Sequence, residues 1–177
     1  ASGSGRIAAC FAELRRRDEV ALVPFLVAGD PDLDATRALV RAAADAGADL
    51  IELGVPFSDP TADGPLIQEA CETSLRAGFR GAGGFEFVSR VRSFSPVPLF
   101  LMSYANPVVM RGVAAFLRQA REAGASGIIV PDLPVDCDEG LYAEAAALGL
   151  EAVPVAAPNI SEARLDHAAP VPGRDVL

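Results

Sequence analysis

The chain has 177 residues, enough for one domain and too few for two comfortable ones. Apolar residues make up 51% and aromatics 6%, with no Trp, so Ala, Val, Leu and Gly must do most of the packing. A net charge of −9 argues against nucleic acid, whose phosphates call for a basic surface. The one dense basic run, Arg15-Arg16-Arg17, points in three directions on a helix and reads as a solvated helix end.

Two absences narrow the chemistry further. There is no Lys, which removes Schiff-base mechanisms and the phosphate lysine of a P-loop. The single histidine, His167, falls on a late polar helix, and no G-x-S-x-G elbow accompanies it. Cys10, Cys71 and Cys137 are far apart, without metal-ligand spacing, and read as reduced thiols of a cytoplasmic protein. No secretory leader and no apolar run long enough to span a bilayer is recognisable. Residues 1–5, Ala-Ser-Gly-Ser-Gly, read as a tag scar or a disordered tail ahead of a single domain.

Helical and extended patterns alternate along the chain. Ile7 to Arg17 is expected as a helix, and Ala21 to Ala28 as a short apolar strand stopped by Gly29-Asp30-Pro31-Asp32. Asp34 can cap a helix over Ala35 to Ala46. A second strand, Asp49 to Val55, leads into a turn-rich loop and a helix begun by Pro65, with Leu66, Ile67, Ala70 and Leu75 as its apolar face. Then follow a helix over Gly84 to Arg92, a strand over Val97 to Tyr104, a helix over Val113 to Ala123 and a strand over Gly127 to Pro131. A helix near Asp138 to Leu148, a strand over Glu151 to Ala156 and a helix over Ser161 to Ala169 complete the pattern, with Asp175 to Leu177 as the start of a sixth strand.

Continuously apolar strands, each followed by an amphipathic helix, specify a parallel sheet covered by helices. Three helix-to-strand junctions share a form, Ala46-Gly-Ala-Asp49, Ala123-Gly-Ala-Ser126 and Leu148-Gly-Leu-Glu151, with Gly just past the helix end. That regularity, and the absence of a G-x-G-x-x-G after the first strand, favours a (β/α) barrel over a doubly wound sheet.

In such a barrel the functional groups gather at the C-terminal ends of the strands. Glu52 interrupts an apolar strand, and period-2 alternation puts it with Leu50 and Gly54 on the face towards the barrel interior. A carboxylate there is costly unless it is hydrogen-bonded or protonated, and desolvation would raise its pKa towards a useful acid–base range. From the strand alone, catalysis and a strand-end Glu bonded to a loop Arg or backbone N–H both remain open. Asp63 precedes Gly64-Pro65 and, taken alone, reads first as an acid favoured at a helix N-terminus. Asp59, ahead of Pro60, fits turn chemistry.

Four segments in order and spacing, Phe25-Leu-Val-Ala-Gly-Asp-Pro31, Ile51-Glu-Leu-Gly-Val-Pro-Phe-Ser-Asp-Pro-Thr-Ala-Asp-Gly-Pro-Leu-Ile-Gln68, Leu101-Met-Ser-Tyr-Ala-Asn-Pro107 and Gly127-Ile-Ile-Val-Pro-Asp-Leu-Pro134, strongly resemble the tryptophan synthase α-subunit family. The resemblance covers nearly the whole chain. It implies an α/β fold of the (β/α)8 TIM-barrel family, of which this chain supplies about the first five to six β/α units. It implies retro-aldol cleavage of indole-3-glycerol phosphate to indole and glyceraldehyde-3-phosphate, without metal or organic cofactor. By the resemblance Glu52 shuttles the protons, and Asp63 accepts the indole N–H and stabilises the charge on the ring. Phe25 and Tyr104 match positions lining the indole pocket, and Met102 joins them or is plain core. The loop with Asp59 and Pro60 resembles the surface that docks on a β-subunit in an α2β2 assembly, to which indole is passed.

Thr61 stands where the family usually has Leu, and Val27 where Thr is common. The sequence stops at the expected sixth strand, before the loops that in the family close over substrate and grip its phosphate. Alternative readings are a stand-alone indole-3-glycerol phosphate lyase, or a truncated, inactive fragment that binds a β-subunit.

Overall fold

The computed structural model describes residues 5–168. Five strands form one sheet, all parallel and in the order β1-β2-β3-β4-β5. They are β1 (Phe25–Val27), β2 (Ile51–Gly54), β3 (Leu99–Met102), β4 (Gly127–Ile129) and β5 (Glu151–Val153). Every strand lies beside its successor, so the sheet has no point where the order reverses, as a doubly wound sheet would have. The helices are α1 (Arg6–Arg17), α2 (Leu33–Asp45), α3 (Pro65–Arg76), α4 (Gly83–Arg92), α5 (Ala105–Arg111), α6 (Val113–Ala123), α7 (Leu141–Leu148) and α8 (Glu162–Ala168). Together they make the first part of a (β/α) barrel. The expected start of a sixth strand at Asp175 to Leu177 lies outside the described residues, as do residues 1–4 of the expected tail.

The three glycine junctions work as their sequence suggests. Gly47, Gly124 and Gly149 all take positive φ, and the next residue returns its N–H to the helix, Ala48 to Ala43, Ala125 to Ala120 and Leu150 to Ala145, each at 2.9 Å. Each helix is thereby closed and the chain turned directly into a buried strand.

Two apolar layers follow from the strand alternation. Ile51, Leu53, Leu99, Leu101 and Ile128 face outward into the helices, against Val88, Phe116, Leu117 and Leu141 among others. Leu50, Phe100, Ile129 and Val153 face the interior, where Ile7 of α1 packs on them with Phe11 and Met102 alongside. Gly127 is required on this inner face, because a Cβ there would run into the Phe100 ring and the Glu151 carbonyl. Gly127→Ala is expected to lower stability by about 1–3 kcal/mol through overpacking, read as the midpoint of urea unfolding.

Several boundaries differ from the sequence expectation. The strands are shorter than their apolar runs. Within the first run Pro24 has no N–H to give the ladder, although its carbonyl still accepts the Glu52 N–H at 3.0 Å. Helix α2 begins two residues early, and its cap is Asp32, which accepts from Ala35 N at 2.8 Å; Asp34 sits inside the first turn. Helix α5 was not anticipated, because Asn106-Pro107 reads as loop. Pro107 is the third helical residue, where an N–H has no intrahelical partner to lose, and Asp132 from the loop after β4 caps the helix by accepting Ala105 N at 2.8 Å. Helix α7 starts only at Leu141, after a 3-10 turn at Val135–Cys137 and two positive-φ residues, Glu139 and Gly140. On α3 the expected apolar face is only partly right. Leu66 is 82% exposed, and the fully buried residues are Cys71 and Ser74.

Candidate active site

Glu52 lies on the interior face of β2, in register with Phe25 on one side and Phe100 on the other. Its side chain is half-buried, and burial raises its carboxyl above the ordinary glutamic acid range. Among the described residues it makes no side-chain hydrogen bond or ion pair, so neither a loop arginine nor a backbone N–H satisfies it there. A second carboxylate of the same face behaves differently. Glu151, at the start of β5, faces the N-terminus of α1. Burial raises its carboxyl, and the nearby backbone N–H groups of Ala8 and Gly5 offset part of that rise. Glu52 is the interior acid left available to a ligand.

The wall beside Glu52 is aromatic. A Cβ on Gly54 would meet Phe25 Cζ at 2.7 Å, so the absent side chain is what lets the Phe25 ring lie against β2. Met102 is in register with Gly54 and packs on the interior cluster of Leu50, Phe100, Ile129 and Val153. It therefore belongs both to the core and to the wall.

Asp63 sits in the loop between β2 and α3, immediately before the N-cap Gly64. It does not cap the helix. The Tyr104 hydroxyl donates to Asp63 Oδ2 at 2.7 Å and itself accepts the Ala62 N–H at 3.1 Å. The loop is braced further by Asp63 N to Pro60 O at 3.1 Å and by Gln68 Nε2 to Asp63 O at 2.8 Å. Tyr104 is 3% exposed, and its ring stacks on Phe57 with centroids 5.4 Å apart. Burial first, and the bond to Asp63 second, hold its phenol far above the ordinary tyrosine range. The hydroxyl is therefore a proton donor to Asp63 at any physiological pH.

Asp59 is exposed and Pro60 partly so, in the outer limb of the same loop. They line an open groove of about 600 Å³ with Phe57, Thr61, Gln68 and Glu72. Asp59 O accepts the Thr61 N–H at 2.9 Å, the turn geometry its sequence context suggested. Phe57 completes the support of this loop through its stack on Tyr104 and was not singled out from the sequence, where it gives no signal beyond being aromatic. His167 lies in α8, and among the described residues no group of three His, Cys, Asp or Glu side chains is placed to hold a metal ion.

The geometry offers one uncommitted interior acid, an aromatic wall, and one aspartate oriented by a buried tyrosine. Comparison with known proteins gives this arrangement a family. The family model described as tryptophan synthase alpha chain matches residues 11–170. The tryptophan synthase alpha chain of Acaryochloris marina (strain MBIC 11017) is 48% identical over 160 residues, covering 90% of this chain and 60% of that one. That of Carboxydothermus hydrogenoformans is 45% identical, covering 91% and 60%. The crystal structure of tryptophan synthase subunit alpha from Legionella pneumophila str. Paris superposes with a TM-score of 0.87 at 35% identity, covering 92% of this chain and 62% of that one. A tryptophan synthase structure from M. tuberculosis in an aminoacrylate-bound form gives 0.89 at 35% identity, covering 98% and 69%. The chain thus spans about 60% of the length of the curated relatives it matches. On a family match across nearly all of its residues, the chain belongs to the tryptophan synthase alpha chain family.

Proposed function

We propose that these residues serve a lyase of tryptophan biosynthesis, which cleaves indole-3-glycerol phosphate to indole and glyceraldehyde-3-phosphate by carboxylate acid–base chemistry. Family membership supports the reaction class. The observation that carries the assignment of roles is the contrast between the two acids. Glu52 is half-buried, unpaired among the described residues and raised in pKa, whereas Asp63 is held in one orientation by the Tyr104 hydroxyl.

A carboxyl raised towards neutrality can both give and take a proton, which is what a shuttling group needs. Glu52 protonates the indole ring carbon that carries the glycerol chain. It then takes the proton of the adjacent glycerol hydroxyl as the carbon–carbon bond breaks. The bonding electrons return to the indole ring, and the hydroxyl carbon leaves as the aldehyde of glyceraldehyde-3-phosphate. Asp63 accepts the indole N–H and stabilises the positive charge that the ring carries between those two proton transfers. Phe25 and Met102 supply apolar surface for the flat ring, with the buried Tyr104 behind Asp63, and the substrate's own indole is the electron sink, so this route calls for no cofactor.

The Asp59-Pro60 limb is the proposed contact with a tryptophan synthase β-subunit, which would receive the indole in an α2β2 assembly. One similar structure, from the hyperthermophile Pyrococcus furiosus, is of a tryptophan synthase a2b2 complex, with a TM-score of 0.81 at 41% identity. No helix among the described residues is long and apolar enough to cross a membrane, and we place the enzyme in the cytoplasm with its biosynthetic relatives.

The test is indole release from indole-3-glycerol phosphate by the protein at its natural length, with and without β-subunit. Turnover that rises when β-subunit is added is the expected result. Turnover indifferent to β-subunit would mark a stand-alone lyase. No turnover under either condition refutes the assignment.

A further inference from the structure

The peptide groups on either side of Tyr104 are both tied to the neighbouring strand and its loop. The Ser103 N–H donates to Ile129 O of β4 at 3.0 Å, and the Ala105 N–H donates to Asp132 Oδ1 at 2.8 Å. Tyr104 is the N-cap residue of α5, but its side chain makes no capping bond; the hydroxyl goes to Asp63 and Ala62 instead. Helix α5 has seven residues, with Pro107 as its third, and is too short to hold together by itself in water. The carboxylate that meets its first N–H therefore decides where it starts. Asp132 is exposed and sits in a tight turn closed by the Leu133 N–H to Val130 O at 3.3 Å.

We propose that Asp132 is a positioning residue for Asp63: by capping α5 it fixes the backbone of Tyr104, whose hydroxyl then holds the Asp63 carboxylate in one orientation. The proposal rests on the lyase reading only for the job it gives Asp63. The chain of contacts stands apart from any reaction and joins the loops after β4, β3 and β2. Without the cap the first turn of α5 frays, and the Tyr104 backbone keeps only the tie from Ser103 to Ile129. The phenol stands at the end of a long rigid side chain, so a small rotation at its Cα carries the hydroxyl out of its 2.7 Å bond to Asp63. A misplacement of about 1 Å can cost a proton acceptor much of its effect. Asp132 also contributes its charge to the raised Tyr104 phenol, but last, after burial and Asp63, so cap and charge have to be separated.

Three variants of the protein at its natural length separate them. Asp132→Asn keeps an accepting oxygen in place and loses the charge, Asp132→Glu keeps the charge and displaces the oxygens, and Asp132→Ala loses both. The first readout is the 13Cζ chemical shift of Tyr104 at about pH 11, one unit above the ordinary phenol value, with the resonance assigned through Tyr104→Phe. Wild type is expected to be neutral there, Asp132→Asn close to it, and Asp132→Ala and Asp132→Glu partly ionised. The second readout is steady-state cleavage, where Asp132→Ala and Asp132→Glu should lose roughly tenfold in kcat with little change in KM, and Asp132→Asn should keep most of it. Asp138→Ala removes a comparable cap nearby, since Asp138 Oδ2 accepts the Tyr142 N–H at 3.1 Å, and should leave both readouts unchanged. A Tyr104 that ionises no more readily in Asp132→Ala than in Asp132→Asn overturns the proposal. So does an unchanged kcat in Asp132→Ala, an Asp132→Asn variant as impaired as Asp132→Glu, or the same losses in Asp138→Ala. Should Asp132→Ala fail to fold, the contrast between Asp132→Asn and Asp132→Glu decides alone. If wild type shows no lyase turnover while Asp132→Ala and Asp132→Glu still release Tyr104, the reaction assignment fails and the positioning of Asp63 stands.

Discussion

Glu52→Gln lowers kcat for indole-3-glycerol phosphate cleavage by about three orders of magnitude, because both proton transfers are assigned to one group and a positioned acid–base is worth roughly 10²–10⁴-fold. KM should change little, since the amide keeps the shape of the side chain. The same variant should be more stable than wild type at neutral pH. Burial raises the Glu52 pKa in the folded protein above its unfolded value. Between those two values the unfolded chain binds fewer protons than the folded one, so stability falls as pH rises through that window. Above it the folded state carries a half-buried charge that glutamine removes. Thermal melting at pH 7 and again below the ordinary glutamic acid range should therefore show a gain for Glu52→Gln only at the higher pH. Loss of activity with a gain in stability is what separates a functional acid from a structural one. Glu151, whose carboxyl burial also raises, supplies the contrast: its replacement by Gln should bring a stability gain of the same sign without the loss of kcat.

Asp63→Asn is the second large effect, with an expected fall of about 10²–10³-fold in kcat from losing one oriented charge next to a developing one. Asparagine can still accept the Tyr104 hydroxyl through its amide oxygen, so the loop should keep its conformation. What disappears is the negative charge, and the Tyr104 phenol, now raised by burial but no longer by the bond and charge of Asp63, should ionise at lower pH than in wild type. Cleavage kinetics and the Tyr104 13Cζ shift measured on one sample make the two consequences inseparable. A drop in kcat without movement of Tyr104 would point to unfolding of the loop or a different role.

The fold was legible where one residue type decides one local conformation. Gly47, Gly124 and Gly149 announced three helix ends, and the alternation of Leu50, Glu52 and Gly54 placed the acid on the interior face. What was not legible depends on partners distant in sequence. Asp63 reads locally as a helix-terminal acid, and only the approach of Tyr104, 41 residues away, gives it another use. Helix α5 was hidden because its cap, Asp132, belongs to the next strand's loop. The face of α3 was misjudged because hydrophobicity favours Leu66. The loop after β1 instead selects Ser74, whose hydroxyl donates to Ala28 O, and Cys71 is buried on the same helix. That Glu151 would lie against the N-terminus of α1 could not be seen either, since α1 and β5 lie at opposite ends of the described chain.

The most direct measurement is a double-mutant cycle on cleavage itself: glyceraldehyde-3-phosphate release by wild type, Glu52→Gln, Asp63→Asn and the double variant, in the protein at its natural length with β-subunit present. Two groups acting on one transition state are predicted to be strongly non-additive, with the double variant little worse than Glu52→Gln alone. Turnover unchanged by either single substitution would contradict the assignment of Glu52 and Asp63 as the working pair.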